Sequence, residues 1–312
     1  MRLIFLGTPG FAVPTLEAIA RAGHEVVLVI TQPDRPRGRG QTAAAPPVKE
    51  AALRLGLEVY QPERVRRPEA VDRLRAIGAE AMVVVGYGQM IPQNVIDLAP
   101  RGVINVHASL LPKYRGAGPI QWAILNGETR TGVTTMRIDA GLDTGDMLLK
   151  AETEIAPDEN AIELGRRLAT MGADLLVETL SKLDSIVPEK QDSSQSTLAR
   201  LLKKEDGVID WTRPAQAIHN QIRGLQPWPS AYTTFRGQPL HIWKTRLSPL
   251  PGPRSQAHGP FFLSLKPLVV ATGSTPLELL ELQLEGRKRI SAADFANGQR
   301  LTENDKLGDQ PI

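Results

Sequence analysis

The chain of 312 residues contains no cysteine, which removes disulfides, thiolate metal sites and any thioester route together. A reducing compartment follows as the default expectation, so the protein is placed in the cytoplasm. Long apolar runs are also missing. The longest, such as 81–86 and 26–30, fall far short of the roughly 20 residues that span a bilayer. The first residues carry one charge and then a strand-like run into Gly7, which does not read as a cleavable signal. Acids are scarce in one place above all: from Trp211 to Leu277 there is no Asp or Glu, while Arg213, Arg223, Arg236, Lys244, Arg246, Arg254 and Lys266 all fall there. The small net charge of +3 hides this asymmetry, which points to a polyanionic partner.

What is present reads as two domains in solution. With 41% hydrophobic and 23% charged residues, a chain of this length can bury two cores. The first part alternates apolar runs with helical patterns, as a parallel sheet covered by helices requires. Strands are expected at 3–7, 26–31, 81–86 and 103–106, with a first helix opened by Pro14 and stopped at Gly23. A long segment, 32–47, separates the second strand from the next helix; its Arg35, Arg37 and Arg39 among Gly and Pro make it a mobile, basic flap. A long helix with Ile162, Leu164, Leu168, Met171, Leu175, Leu176 and Leu180 closes this part, and the polar stretch 188–196 reads as a linker. Beyond it come a helix near 215–223 and short β-type runs at 231–235, 240–245, 261–265, 268–271 and 277–284, a pattern expected of a small barrel. The polar tail from Leu301 is expected to fray.

Chemistry concentrates at the fourth of these strands. Asn105 and His107 lie two residues apart, so on an extended strand their side chains share a face. Asp143 lies further on, between Gly141 and Gly145. A neutral donor, a titratable base and a carboxylate are the parts needed to stabilise and deprotonate a tetrahedral intermediate, so the trio points to acyl transfer. Each residue also has an ordinary reading: a histidine in a strand-to-loop corner, a buried hydrogen-bonded Asn, a turn-forming Asp. Asp139, Asp143 and Asp146 match no calcium-loop spacing, so a metal is disfavoured. A dinucleotide fingerprint fails as well, because Pro9 replaces the glycine that admits a pyrophosphate and no acid ends the second strand.

The run Asn105-Val106-His107-Ala108-Ser109-Leu110-Leu111-Pro112 with Tyr114-Arg115-Gly116, followed by Gly141-Leu142-Asp143-Thr144-Gly145-Asp146, resembles the folate-dependent formyltransferases. Narrower features resemble the members of that family that act on a charged tRNA: Gly7-Thr8-Pro9 with Phe11, the arginine flap, Lys204-Glu205-Asp206-Gly207 with Ile209-Asp210-Trp211, and the basic second half. Gly10 departs from the pattern, since some relatives carry an acid there.

The resemblance implies an α/β Rossmann-like parallel-sheet formyltransferase domain over 1–187, a linker over 188–205, and an OB-like β-barrel that binds tRNA over 206–312. It implies 10-formyltetrahydrofolate as formyl donor, the α-amino group of methionyl initiator tRNA as acceptor, no metal, no membrane and a monomer. Asn105, His107 and Asp143 become the catalytic residues, and Ser109, Leu110, Leu111 and Pro112 the folate contacts. Phe11 would face the methionyl side chain, with Arg35, Arg37, Arg39, Lys203 and Lys204 on the tRNA. Whether His107 or Asp143 is the formal base stays open at this point. Two competitors stay open too: formyl transfer to a small amine such as an amino sugar or glycinamide ribonucleotide, and a non-catalytic RNA-binding protein.

Overall fold

The computed structural model describes residues 1–37, 42–249, 261–302 and 304–309. The chain divides into two compact units, one comprising Met1–Pro119, Arg130–Glu154 and Gly165–Ala199, the other Ile120–Thr129, Ile155–Leu164 and Arg200–Ile312.

The first unit is built on a seven-stranded sheet. Its strands are β1 (Arg2–Gly7), β2 (Glu25–Ile30), β5 (Val59–Tyr60), β6 (Ala81–Val85), β7 (Val103–His107), β9 (Arg130–Arg137) and β10 (Met147–Glu154), in the order β10-β9-β7-β6-β1-β2-β5. Five of them, from β5 to β7, run parallel, with helices α1 (Val13–Arg21), α2 (Pro47–Arg54), α3 (Pro68–Ile77) and α4 (Gln93–Ile96) in the connections. The central strands are apolar on both faces, as a doubly covered sheet demands: Leu3, Ile4, Phe5 and Leu6 are completely buried, and β6 is buried throughout. The expectation of a parallel sheet therefore holds for its main body and is corrected at one side, where β9 and β10 run antiparallel. On β10 burial alternates along Lys150 to Glu154, so this strand keeps one face toward solvent, which antiparallel edges tolerate. Helix α6 (Ala161–Ser181) packs against β7 at Gly172, where a Cβ would come within 2.8 Å of Val106 Cγ1.

The basic segment after β2 is paired at its base. β3 (Arg35–Arg37) and β4 (Thr42–Ala44) form an antiparallel hairpin. A further short strand, β8 (Arg115–Gly116), pairs in parallel with β11 (Leu198–Ala199).

The second unit carries α5 (Pro119–Leu125) from its second residue on, α7 (Ala215–Gly224) and an antiparallel sheet. The sheet comprises β12 (Ala231–Phe235), β13 (Gln238–Leu247), β14 (Phe262–Leu265), β15 (Leu268–Val270), β16 (Leu277–Leu284) and β17 (Ile290–Ser291), followed by α8 (Ala292–Gln299). The path β12-β13-β16-β15-β14 is closed by the tail: Leu307 bridges Phe235 at the end of β12, and Lys306 bridges Phe261 just before β14. The expected fraying from Leu301 is thus corrected. Leu307 is buried, the Gly308 N–H donates to the Thr234 carbonyl at 2.8 Å, and Asp305 pairs with Arg236. Phe235 and Phe295 meet edge-on at 5.3 Å in a core shared with Trp211, Phe262 and Leu282. No described helix is long and apolar enough to cross a membrane.

Candidate active site

β7 ends at the C-terminal edge of the parallel strands, where open α/β sheets bind ligands. Its period of two puts Asn105 and His107 on one face, both buried. The Asn105 carboxamide has no hydrogen-bond partner among the described residues. His107 is held from both sides. Its Nε2 lies 2.9 Å from the carbonyl oxygen of Tyr114, and a carbonyl can only accept, so Nε2 carries the hydrogen. That contact, rather than Asp143, sets the tautomer and leaves Nδ1 with its lone pair toward Asp143. Nδ1 lies 3.6 Å from Asp143 Oδ2, beyond direct hydrogen-bonding reach.

Asp143 occupies an unusual backbone position, with φ at 52°. A left-handed conformation favours glycine, but Asp is among the side chains that tolerate it. Next to it, Gly145 is required for space: a Cβ there would lie 1.9 Å from the Arg137 carbonyl oxygen. The turn therefore passes close to the end of β9 and delivers the carboxylate to His107. Asp143 Oδ2 also accepts from the Gly116 N–H at 2.8 Å, so β8 fixes the carboxylate while Tyr114, next to β8, fixes the imidazole.

The segment between His107 and Tyr114 is pinned from within. Thr134 on β9 donates its hydroxyl to the Ser109 carbonyl at 2.7 Å and accepts from the Leu111 N–H at 3.2 Å. Ser109 donates its own hydroxyl to the Lys113 carbonyl at 2.6 Å. Ser109 and Leu111 are buried, whereas Leu110 and Pro112 keep part of their surface open.

Other candidate residues are placed as follows. Phe11, half-buried, lies in a 3-10 turn, Gly10–Ala12, after β1. Arg35 reaches Glu63 at 3.3 Å and is exposed; Arg37 lies in β3, and Arg39 falls outside the described residues. Lys203 and Lys204 are exposed and belong to the second unit, where the Lys203 N–H donates to Asp206 Oδ2 at 2.7 Å. Several residues of the acid-free interval are already committed. Arg246 pairs with Glu278 through bonds of 2.8–3.0 Å, Arg236 with Asp305, and buried Arg223 donates to the Glu159 carbonyl at 2.9 Å. Arg213, Lys244 and Lys266 stay exposed, Arg289 lies over Trp243 at 3.9 Å, and Trp228 is 54% exposed. Among the described residues no cluster of three or more His, Asp or Glu is arranged to hold a metal ion.

Sequence reasoning missed Thr134 and Gln191, which donates its amide to the carbonyls of both Asp143 and Gly145, and it gave no role to the Tyr114 carbonyl. It also missed a polar net at the ends of β1 and β2, where the Tyr87 carbonyl accepts from Thr8 and Gln32. Tyr87 is buried, and burial pushes its phenol up to about 12. No local sequence signal marks Thr134 or Gln191, because each acts through a partner distant in the chain.

Residues 1–180 match the formyl transferase family, and residues 201–300 match the formyl transferase C-terminal domain. A methionyl-tRNA formyltransferase of Solibacter usitatus is 75% identical over 311 residues, covering 99% of both chains. Proteins of the same name from Koribacter versatilis and Geobacter metallireducens are 56% and 47% identical, each again over 99% of both chains. Among solved structures, an N-formyltransferase from Helicobacter canadensis in complex with folinic acid and dTDP-3-aminofucose superposes with a TM-score of 0.66 at 19% identity. It covers 89% of this chain and 98% of that one, a likeness of fold. The chain belongs to the formyl transferase family and, within it, to the methionyl-tRNA formyltransferases.

Proposed function

We propose that this protein transfers the formyl group of 10-formyltetrahydrofolate to the α-amino group of methionyl initiator tRNA, yielding N-formylmethionyl-tRNA for translation initiation. The observation that carries the reading is the Asn105 carboxamide, without a protein partner among the described residues, beside an imidazole whose Nδ1 faces Asp143. The folate, when bound, supplies an electrophilic formyl carbon on N10. The residues fit it: an uncommitted amide donor on β7 and partly open Leu110 and Pro112 on the pinned segment, which Ser109 and Leu111 support from beneath.

Asn105 donates an N–H to the formyl oxygen as negative charge develops there, an interaction of about 2.7–4 kcal/mol for a single oxyanion donor. His107 Nδ1 takes the proton that the attacking amine loses, directly or through a held water, and returns it to the leaving nitrogen. Asp143 stabilises the imidazolium formed in between. Phe11 faces the methionyl side chain, and Arg35, Arg37, Arg39, Lys203 and Lys204 meet the acceptor stem. Residues 1–187 carry the chemistry and 206–312 bind RNA; of the expected linker, 188–205, the part through Ala199 belongs to the first unit instead of connecting freely, because Gln191 and β11 bond into it. The protein acts as a monomer, since one chain carries every residue the reading uses, and the absence of cysteine is compatible with the cytoplasm.

The test is incubation with 10-formyltetrahydrofolate and charged initiator tRNA, set against uncharged tRNA, glycinamide ribonucleotide and an amino sugar. Formylation of the charged tRNA alone is the expected result; formylation of a small amine in its place overturns the acceptor. Binding of the tRNA should weaken steeply with salt as phosphate contacts release counterions. A flat salt dependence would remove RNA from the reading.

A further inference from the structure

We infer that Gln191, held by Arg115, is a positioning residue that sets the Asp143 carboxylate against His107; the inference rests on the function proposed above. One side-chain amide of Gln191 donates to two carbonyls of the same turn, Asp143 at 2.8 Å and Gly145 at 2.8 Å. Its oxygen accepts from Arg115 Nε at 2.9 Å. Arg115 is buried, and its Nη2 atom has no partner of its own.

The network closes on itself. Arg115 lies between Tyr114, whose carbonyl holds His107 Nε2, and Gly116, whose N–H holds Asp143 Oδ2. Gln191 thus ties the backbone of the Asp143 turn, through Arg115, to the segment whose Tyr114 and Gly116 orient both reacting side chains. The turn needs such a tie, because Asp143 holds a left-handed backbone conformation, φ 52°, that glycine adopts more readily. A backbone in that state persists only when its surroundings over-determine it. Without the two N–H bonds, two inward carbonyls lose their donors and the turn is free to relax. The charged groups in this cluster are His107, Asp143 and Arg115, and Gln191 joins the last two without adding charge.

The arrangement separates positioning from binding. Gln191 hydrogen-bonds to the backbone of Asp143 and Gly145 and to the side chain of Arg115, and its described hydrogen bonds reach none of the residues assigned to folate or tRNA. Its loss should therefore fall on turnover and not on substrate affinity.

The test uses Gln191→Met, which keeps length and removes every polar contact, and Gln191→Glu, which keeps the bond to Arg115 and replaces both N–H donors by an acceptor. Both variants should lose at least about 10-fold in kcat, toward the 10²-fold that a 1 Å misplacement costs, with KM for both substrates within about 2-fold of wild type. In histidine side-chain 15N spectra of the full chain, the Nδ1 resonance of His107 should move in both variants while Nε2, held by Tyr114, stays. Should Gln191→Met fail to unfold cooperatively, Gln191→Glu decides alone. Wild-type kcat together with an unmoved Nδ1 resonance overturns the inference. A wild-type protein that fails to formylate charged tRNA overturns the function instead, and the Nδ1 shift still reads the positioning role.

Discussion

Asp143 Oδ2 and His107 Nδ1 stand 3.6 Å apart, each fixed by a different backbone group of the 114–116 segment. This separation is too long for a direct hydrogen bond. In the proposed mechanism the carboxylate acts by its charge on the ring, and the imidazole orientation, set by the Tyr114 carbonyl, survives without it. Asp143→Asn separates these effects. Asn tolerates the same left-handed backbone and still accepts from the Gly116 N–H, so the fold should hold. Turnover should drop by about 10²–10⁴-fold, the range of a positioned acid–base group, with the melting temperature unchanged. Steady-state kinetics beside a thermal melt checks this, and retained turnover would remove Asp143 from the chemistry.

Asn105 gives a different signature. In the proposed mechanism its carboxamide is engaged only when charge develops on the reacting oxygen, so Asn105→Ala should lower kcat by about 10²–10³-fold and leave folate affinity almost untouched. Equilibrium binding of the folate to the variant, measured with its single-turnover rate, distinguishes this from a role in ground-state binding. An equal loss in affinity and rate would mean that Asn105 holds the folate instead.

Thr134 is where the sheet grips the loop. Thr134→Val keeps the shape and removes one hydroxyl, stranding the Leu111 N–H and the Ser109 carbonyl together. Each buried orphan costs about 1–3 kcal/mol. Chemical denaturation should show a loss in this range or somewhat above it, and KM for the folate should rise because Leu110 and Pro112 ride on the same segment. A variant as stable as wild type would show that the loop does not depend on this hydroxyl.

How much of this was legible follows from how each feature is encoded. β1, β2, β6 and β7 are dense apolar runs, and their ends were read to within a residue or so. β9 and β10 were not read, since one is rich in Thr and the other carries Lys150, Glu152 and Glu154 on an open face. The tail was misread because a single buried apolar residue, Leu307, anchors an otherwise polar stretch. Charge counted along the chain misled in the same way. Glu278 and Asp305 lie outside the acid-free interval, yet the fold returns them to Arg246 and Arg236. At the site, the shared face of Asn105 and His107 follows from a strand period of two. The place of Asp143 depends on a turn geometry that only Gly141 and Gly145 hint at. Gln191 had no signal, because a lone Gln in a polar stretch is indistinguishable from linker.

His219 makes the stability of the second unit depend on pH. It is buried on α7, with Nδ1 3.0 Å from Thr245 Oγ1 and Nε2 3.2 Å from the Pro157 carbonyl oxygen, a pairing that satisfies the neutral ring. Burial pushes its pKa below the ordinary histidine value, Arg223 adds to the depression, and the Pro157 carbonyl and Asp158 oppose it. The unfolded chain therefore binds a proton at a pH where the folded chain does not. Stability from this group is complete above the ordinary value near 6.5 and is lost as pH falls through it toward the folded value. His219→Gln can still donate to Pro157 and accept from Thr245 but does not titrate. Denaturation at intervals between pH 7.5 and 5 should show wild type losing stability faster than the variant, by up to about 1.4 kcal/mol per pH unit for one proton. His24 and His241, also depressed by burial, are common to both proteins and cancel in the difference. A difference that stays flat across that range would mean His219 is accommodated equally well in its charged form.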